Sequence, residues 1–276
     1  MSGVLYIVGT PIGNLGDFSP RAVEILSSVD FIAAEDTRVT LHLLNHFGIK
    51  KPMISYFEHN KYERGEVVLH RIEAGENCAL VSDAGMPAIS DPGELLVKQA
   101  AEHGIEVFAV PGPSAVVTAL AVSGLPTGRF TFEGFLSVNK KSRRDHLEEV
   151  QNETRTMVFY EAPHKLLATL QDMYACWGDR PIALVRELTK IHEEVLRTTL
   201  KEATAHYEET PPRGEFVLVI GGAAPQKKTK ITLDEGIRMA RALMEKGASQ
   251  SAAAKEVAHK TGLHRNELYE KLTKEV

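Results

Sequence analysis

The sequence is poor in cysteine and tryptophan, with two and one among its 276 residues. Cys78 and Cys176 stand alone, without a second cysteine or a histidine at metal-ligand spacing. That pattern excludes a disulfide framework and a cysteine zinc site, and the expectation is a reduced, cytoplasmic protein. No apolar run is long enough to span a bilayer, and no basic region followed by an apolar segment opens the chain, so neither membrane insertion nor secretion is expected. Internal repeats and long low-complexity tracts are absent. A basic excess is missing too: the formal net charge is −5. The average hides an asymmetry. From Gln226 onward there are about eleven Lys/Arg against seven Asp/Glu, near +4, which leaves about −9 for the rest. The tail is one place where a polyanion could dock.

What the chain does have is turn-forming residues packed into a few places. The densest is Leu80-Val-Ser-Asp-Ala-Gly-Met-Pro-Ala-Ile-Ser-Asp-Pro-Gly93, which follows the apolar run Cys78–Val81 and precedes a helical pattern. Gly9-Thr-Pro-Ile-Gly-Asn14 and Pro111-Gly-Pro-Ser114 also follow apolar runs. Strand, sharp loop, helix is how an α/β protein presents backbone groups at the carboxyl edge of its sheet, and three such loops point to one cleft.

Around these loops the fold class reads as α/β. Strands are expected at Leu5–Val8, Val29–Ala33, Ile54–Phe57, Cys78–Val81 and Ile105–Val110. Helices are expected after Ser19-Pro20, over Thr40–Phe47, Lys61–Ala74 and Leu95–His103, and over Ser114–Val122. This alternation implies a parallel, helix-covered sheet in residues 1–124. A second α/β domain is expected over 125–222. Its strands are Phe130–Phe135, Thr156–Tyr160, Pro181–Val185, Glu193–Leu200 and Glu215–Ile220, and its one clear helix is Lys165–Tyr174. Residues 223–276 read as a linker, Ala223–Lys230, and a helical extension. Its last two segments, Ser249–His259 and Arg265–Thr273, have the look of a helix-turn-helix around Lys260-Thr-Gly-Leu-His264.

The first loop is a poor phosphate cradle. Pro11 removes an N–H donor, Ile12 is bulky, the third glycine of a dinucleotide fingerprint is missing, and no Gly-Lys-Ser/Thr follows. Such a loop suits a flat ligand that takes apolar contact and a few backbone hydrogen bonds. A tight turn with no ligand is the bland reading.

Four spaced motifs now stand together: Leu5-Tyr-Ile-Val-Gly-Thr-Pro-Ile-Gly-Asn-Leu15, Ala33-Ala-Glu-Asp-Thr-Arg38, Leu80–Gly93 and Val110-Pro-Gly-Pro-Ser114. In this order they resemble the tetrapyrrole methylase superfamily, and within it the branch that methylates a cytidine 2′-hydroxyl of 16S ribosomal RNA. The resemblance continues through Glu133-Gly-Phe135, Phe159-Tyr-Glu161, Arg186-Glu-Leu-Thr189 and Gly214-Glu-Phe-Val217 to about residue 222, and more loosely through the tail. It implies two α/β domains with S-adenosyl-L-methionine held between them, usually in a homodimer. Carried over by position, it implies cofactor contacts at Ile12, Ala84, Gly85, Met86 and Ile89, and at Ser114, Ala115, Glu161 and Leu188. The porphyrin-modifying relatives carry Gly-Gly-Asp where this chain has Ala84-Gly-Met86, so Asp83 is the substitute carboxylate.

Methyl transfer from a sulfonium needs alignment of the acceptor and removal of its proton. A ribose hydroxyl is a weak acid, so a base, or a cation near the developing alkoxide, helps. Glu35 matches the position where porphyrin-modifying relatives place a proton-accepting aspartate. Glu35 or Asp36 is therefore the expected base or orienter, with Arg38 holding phosphate or alkoxide. The competing reading makes Asp36 and Arg38 an ion pair that caps the next helix. Lys140, Lys141, Arg143 and Arg144, beside the aromatic Phe130-Thr-Phe132, form the expected RNA-binding cluster, against a plain solvated helix start. His42 and His46 have helical i, i+4 spacing but no third ligand, and read as a surface pair with no metal. Phe132 and Phe135 read as core rather than as base-stacking platforms, though one of them could do both. The expected partner is 16S rRNA or the small ribosomal subunit. The rivals are a tetrapyrrole or protein-histidine methylase of the same superfamily, and a non-catalytic RNA-binding protein.

Overall fold

The computed structural model describes residues 2–224 and 231–274, and these fall into two compact units, 1–224 and 225–276. Most of the expected linker, residues 225–230, lies outside the described residues.

The first unit opens with the parallel sheet that the apolar runs require. Its strands are β1 (Val4–Val8), β2 (Phe31–Ala34), β3 (Met53–Ser55), β4 (Cys78–Val81) and β5 (Glu106–Val110), in the order β3-β2-β4-β1-β5 with every pairing parallel. All four residues of β2 and of β4 are buried, which is why those runs do not alternate in polarity. The crossover helices are α1 (Pro20–Ser28), α2 (Thr37–His46), α3 (Lys61–Glu73) and α4 (Glu94–Glu102). One core lies on each face of the sheet, Leu5, Phe31 and Leu80 in the first and Val8, Ile32 and Val81 in the second. Burying each such side chain is worth roughly 1.5–3 kcal/mol. Cys78 belongs to this core, and burial pushes its thiol up to about 12, which leaves it inert.

Helix starts follow side-chain chemistry. Ser19 caps α1, its hydroxyl accepting from the Ala22 N–H at 3.1 Å, with Pro20 at the first helical position. Asp36 caps α2 by accepting from the Arg38 N–H at 2.8 Å. This helix begins at Thr37, three residues before the expected start, because the cap lies inside the Ala33–Arg38 motif.

Helix α5 (Ala115–Ser123) departs from the expected layout. Read from sequence as the last helix of residues 1–124, it packs through Val116, Ala119 and Leu120 against Val158, Val185 and Val217 of the second sheet. That sheet comprises β6 (Phe130–Phe135), β7 (Thr156–Glu161), β8 (Pro181–Arg186), β9 (Glu194–Thr199) and β10 (Phe216–Ile220), in the order β6-β7-β10-β8-β9. Only β6 and β7 run parallel; β10 is antiparallel to both β7 and β8, and β8 to β9. The second sheet is therefore mixed. Its other helices are α6 (Lys140–Glu149), α7 (Pro163–Trp177) and α8 (Leu200–Glu209). Helix α8, absent from the sequence reading, starts at a Thr199 cap whose hydroxyl accepts from the Glu202 N–H at 3.3 Å.

The second unit is a three-helix assembly of α9 (Leu233–Glu245), α10 (Gln250–Thr261) and α11 (Arg265–Lys274). Thr232 and Glu235 form a reciprocal capping box at the start of α9. Gly262, at φ +74°, ends α10 and lets the chain turn toward α11. Ile237, Ala253, Ala254, Val257 and Leu268 make its core. Among the described residues no helix is long and apolar enough to cross a membrane.

Candidate active site

The three turn-rich loops meet at the carboxyl ends of β1, β4 and β5. The Thr10 N–H donates to the Gly85 carbonyl at 2.9 Å, and the Gly85 N–H returns the bond to Thr10 at 3.2 Å. The Thr10 hydroxyl donates to the Ser82 carbonyl at 3.1 Å. Gly9 and Gly112 bring the first and third loops together backbone to backbone: a Cβ on either would meet the other's main chain at 2.7–2.8 Å. Only glycine fits there.

Beside this junction lies a cavity of about 390 Å³ that the second sheet completes. The first half of the unit contributes Ile12, Asp83, Ala84, Gly85, Met86, Ile89, Ser114 and Ala115. The second contributes Glu161 and Leu188. All ten expected cofactor residues thus line one space, although they come from five separate stretches of chain. Leu188 is walled in at 7% exposure, and Ile89 stands at 49%. Glu161 is buried; its carboxylate accepts from the Thr169 hydroxyl at 2.5 Å and the Ala162 N–H at 2.8 Å and pairs with Lys165 at 3.1 Å.

Backbone strain concentrates at the same place. The non-glycine residues with positive φ among the described residues are Ala88 (68°), Ser90 (65°), Glu187 (50°) and Thr189 (66°). They flank Ile89 and Leu188 on both sides. Left-handed geometry costs about 1–2 kcal/mol per non-glycine residue, and such strain collects where a ligand must be met.

The expected catalytic trio divides. Glu35 lines the cavity, half-buried; its carboxylate accepts a long bond from the Asp83 N–H at 3.4 Å, and burial is the main cause of its raised pKa. Asp36 and Arg38 do not line it. Asp36 accepts from Arg38 Nε at 3.0 Å and Nη2 at 2.6 Å as well as capping α2. The Arg38 side-chain hydrogen bond holds its carboxyl down at about 2. The Arg38 side chain is 87% exposed. Asp36 and Arg38 thus take the arrangement of the competing reading, an ion pair at the start of α2. Asp36 caps the helix with Arg38 paired to it, and Glu35 alone of the three lines the cavity.

The expected RNA cluster also divides, on α6. Lys140, Lys141 and Arg144 are exposed. Arg143 is buried at 8%, donating to Asp172 on α7 at 2.8 Å and to the Ser137 carbonyl at 3.4 Å. Its place in a phosphate-binding patch is corrected: the guanidinium ties α6 to α7. His42 lines a neighbouring cavity of about 390 Å³ beyond the Thr10–Gly13 loop, with Leu15 and Val39.

Several cavity residues escaped the sequence reading. Asp91 sits inside the Leu80–Gly93 motif, where the Ser-Asp-Pro-Gly pattern reads only as a turn. Burial, reinforced by the negative charge of Glu35, pushes its carboxyl up to about 7. Tyr160 precedes Glu161, Lys190 follows Thr189, and Glu215 lies in the Gly214–Val217 motif. Each lies within or beside one of the family-like motifs. Lys190 bridges Glu187 and Glu215, both at 3.0 Å.

The residues fit a flat, cationic cofactor. Ile12, Met86, Ile89, Leu188, Val185 and Val217 give apolar walls for a ring, Gly85 leaves room where a Cβ would sit 3.4 Å from Ile12, and the carboxyls of Glu35 and Asp83 face the same space.

Comparison with known proteins agrees with this geometry. Residues 4–204 match the family model of Tetrapyrrole (Corrin/Porphyrin) Methylases. A ribosomal RNA small subunit methyltransferase I of Synechocystis sp. is 50% identical over 270 residues, 97% of this chain and 96% of that protein. Its counterpart in Haemophilus influenzae is 43% identical over 273 residues, 98% and 96%. Among solved structures, uroporphyrin-III C-methyltransferase from Thermus thermophilus, complexed with S-adenyl homocysteine, superposes with TM-score 0.56 at 20% identity over 79% of this chain and 97% of that one. A cobalt precorrin-4 methyltransferase superposes with TM-score 0.58 at 18% identity, over 79% and 94%. With the fold shared across such distant structures and the whole length shared with the ribosomal enzymes, this chain belongs to the tetrapyrrole methylase family, in the branch of the ribosomal RNA small subunit methyltransferases I.

Proposed function

We propose that this protein is an S-adenosyl-L-methionine-dependent methyltransferase that methylates the ribose 2′-hydroxyl of a cytidine in 16S rRNA, within the small ribosomal subunit. The observation that carries the reading is convergence: ten residues expected from family motifs line one cavity, in a chain similar along its length to a protein named ribosomal RNA small subunit methyltransferase I. When bound, S-adenosylmethionine supplies an electrophilic methyl on a sulfonium whose departure leaves a neutral thioether. Ile12, Met86 and Leu188 hold the donor between apolar walls and keep water from it. Glu35 takes the proton of the 2′-hydroxyl as the oxygen attacks. Half-burial raises the pKa of Glu35, which makes it a stronger base than a solvated carboxylate. Asp83 positions it through the 3.4 Å backbone contact, and its own carboxylate accepts from the Asp36 N–H at 3.1 Å, tying β2 to the Leu80–Gly93 loop. Lys140, Lys141 and Arg144 attract RNA phosphates, so binding weakens with salt. A ribosomal substrate places the enzyme in the cytoplasm, and the homodimer implied by the family is part of the same reading.

The test is methylation of small subunits and of naked rRNA with labelled cofactor, followed by mapping of alkali-resistant positions. Label in tetrapyrrole or protein, with none in RNA, overturns the substrate. Glu35→Gln should lower kcat by about 10²–10⁴ and leave cofactor affinity within a few-fold. In wild type, kcat should rise with pH as Glu35 ionises, and this limb should vanish in Glu35→Gln. Asp36→Asn and Arg38→Ala should stay within a few-fold of wild-type turnover. Unchanged turnover in Glu35→Gln removes the residue from the mechanism.

A further inference from the structure

One aromatic ring at this cavity is out of place for a strand residue. Side chains of a regular strand alternate faces, so Phe132 and Phe135, three apart, should point in opposite directions. They do not. The register of β6 on β7 slips between Phe132 and Gly134, so that Phe132 pairs with Val158 and Phe135 with Tyr160, two residues on. The inserted Glu133 is a β-bulge, and Gly134 takes φ +66° to complete it. Bulges of this kind re-aim a side chain next to a site. Here the bulge turns Phe135 onto the same face as Phe132, and both rings rest on Tyr160, with centroids 5.3 and 5.0 Å away. A Cβ on Gly134 would sit 3.7 Å from the Ser90 hydroxyl, so the bulge also touches the strained loop that carries Ile89.

The result is asymmetric. Phe132 is half-buried in the core beside α5, whereas Phe135 lines the cavity and is 56% exposed. An exposed Phe forfeits burial that the same strand could have supplied without the bulge. The Lys165 ammonium lies 5.6 Å from the Phe135 centroid, within cation–π range, and steadies the ring. Five residues further along the chain, α6 begins with exposed Lys140 and Lys141. A rigid, half-open aromatic face in a catalytic cavity, with cations close in sequence, has the chemistry that receives an unstacked base.

We infer that the Phe135 ring is the stacking surface for the nucleobase of the acceptor ribonucleotide, holding its ribose at the methyl donor. The inference rests on the proposed function. It assigns Phe135 to acceptor recognition rather than to the donor wall formed by Leu188 and Met86. Stacking needs a π face, and apolar bulk does not replace it.

The experiment is a four-variant series, Phe135→Ala, Phe135→Leu, Phe135→Tyr and Phe135→Trp. Methylation kinetics are read on small ribosomal subunits, S-adenosylmethionine affinity by calorimetry, and folding by thermal melting. Alanine and leucine should both lower kcat/KM for the subunit by about ten- to one-hundred-fold. Tyrosine and tryptophan should stay within about three-fold of wild type, and cofactor affinity should stay within two-fold throughout. The difference between leucine and tyrosine is the signature a structural role would not produce. Leucine as active as wild type overturns the assignment, because a π face is then dispensable. A fall in cofactor affinity matching the fall in kcat/KM overturns it too, making Phe135 part of the donor wall. A change in oligomeric state by light scattering with kcat/KM unchanged assigns the ring to a contact between copies instead. Wild-type protein that labels no RNA defeats the proposed function itself, and this inference with it, a result distinct from any pattern among the variants.

Discussion

The Ala88–Ser90 and Glu187–Thr189 loops solve one geometric problem twice. Each sets an apolar residue between two left-handed, non-glycine neighbours and presents it to the same cavity. The loops come from opposite halves of residues 1–224, and their sheets differ in kind, one parallel and one mixed. They also differ in how they are held. Leu188 is buried and its loop is braced: Lys190 bridges Glu187 and Glu215, and the Thr189 N–H donates to Glu193 at 2.6 Å. Ile89 is half open, and its loop runs directly into Asp91, a carboxyl among carboxyls. One loop is a fixed wall with its charges paired. The other is an open wall beside a cluster of carboxyls, suited to a cationic ligand and to the acceptor side of the reaction.

The largest effect should separate the two apolar residues. Leu188→Ala should cost about 2–4 kcal/mol of stability in denaturant unfolding, as for other buried leucines, and weaken cofactor binding as well. Ile89→Ala should change stability by less than about 1 kcal/mol while still weakening the cofactor, because its side chain is already half in water. Equal destabilisation by the two would break the distinction between fixed and open wall.

Next in size are the strained positions. Ala88→Gly and Thr189→Gly remove the left-handed penalty, and each should gain up to about 1 kcal/mol of unfolding free energy in denaturant titration. Calorimetry should show cofactor affinity falling a few-fold in both, because the loop is less preorganised when empty. A gain in stability without any loss of affinity would mean that the strain serves no ligand.

The smallest effect concerns charge. The Asp91 carboxyl is pushed up to about 7, above its ordinary value of 3.8, chiefly by burial. The folded protein therefore holds a proton that the unfolded chain releases near pH 4. Stability from this group is present below about pH 4 and is lost as pH rises through about 7. Asp91→Asn should melt like wild type near pH 4 and about 2 °C higher at pH 8, the gap opening between those limits. A gap that is constant with pH would show that burial of the charge is not its cause.

Much of the cleft was legible because its determinants are local. Turn chemistry at Gly9–Asn14, Leu80–Gly93 and Pro111–Ser114 marks three loops after apolar runs, and the family motifs supply the second half's Glu161 and Leu188. The Ser19-Pro20 helix start and the parallel first sheet follow from caps and continuous apolar strands. What escaped depends on partners distant in sequence. Arg143 looks like its neighbours until Asp172, 29 residues on, buries it. Phe135 looks like core until a bulge turns it. The mixed second sheet cannot be seen in Phe216–Ile220, because a fully buried central strand reads the same in parallel or antiparallel pairing.

The sequence alone determined which residues could serve: apolar runs for two sheets, turns that place loops at their ends, and carboxylates and aromatics at specific positions in those loops. Tertiary structure decided which of them do. It sent Glu35 into the cavity and Asp36 to a helix cap, though the two are adjacent, because the first helical N–H groups claim the nearer carboxylate. A side chain's chemistry is local, but its burial, its charge partners and the direction it faces are properties of the packed chain.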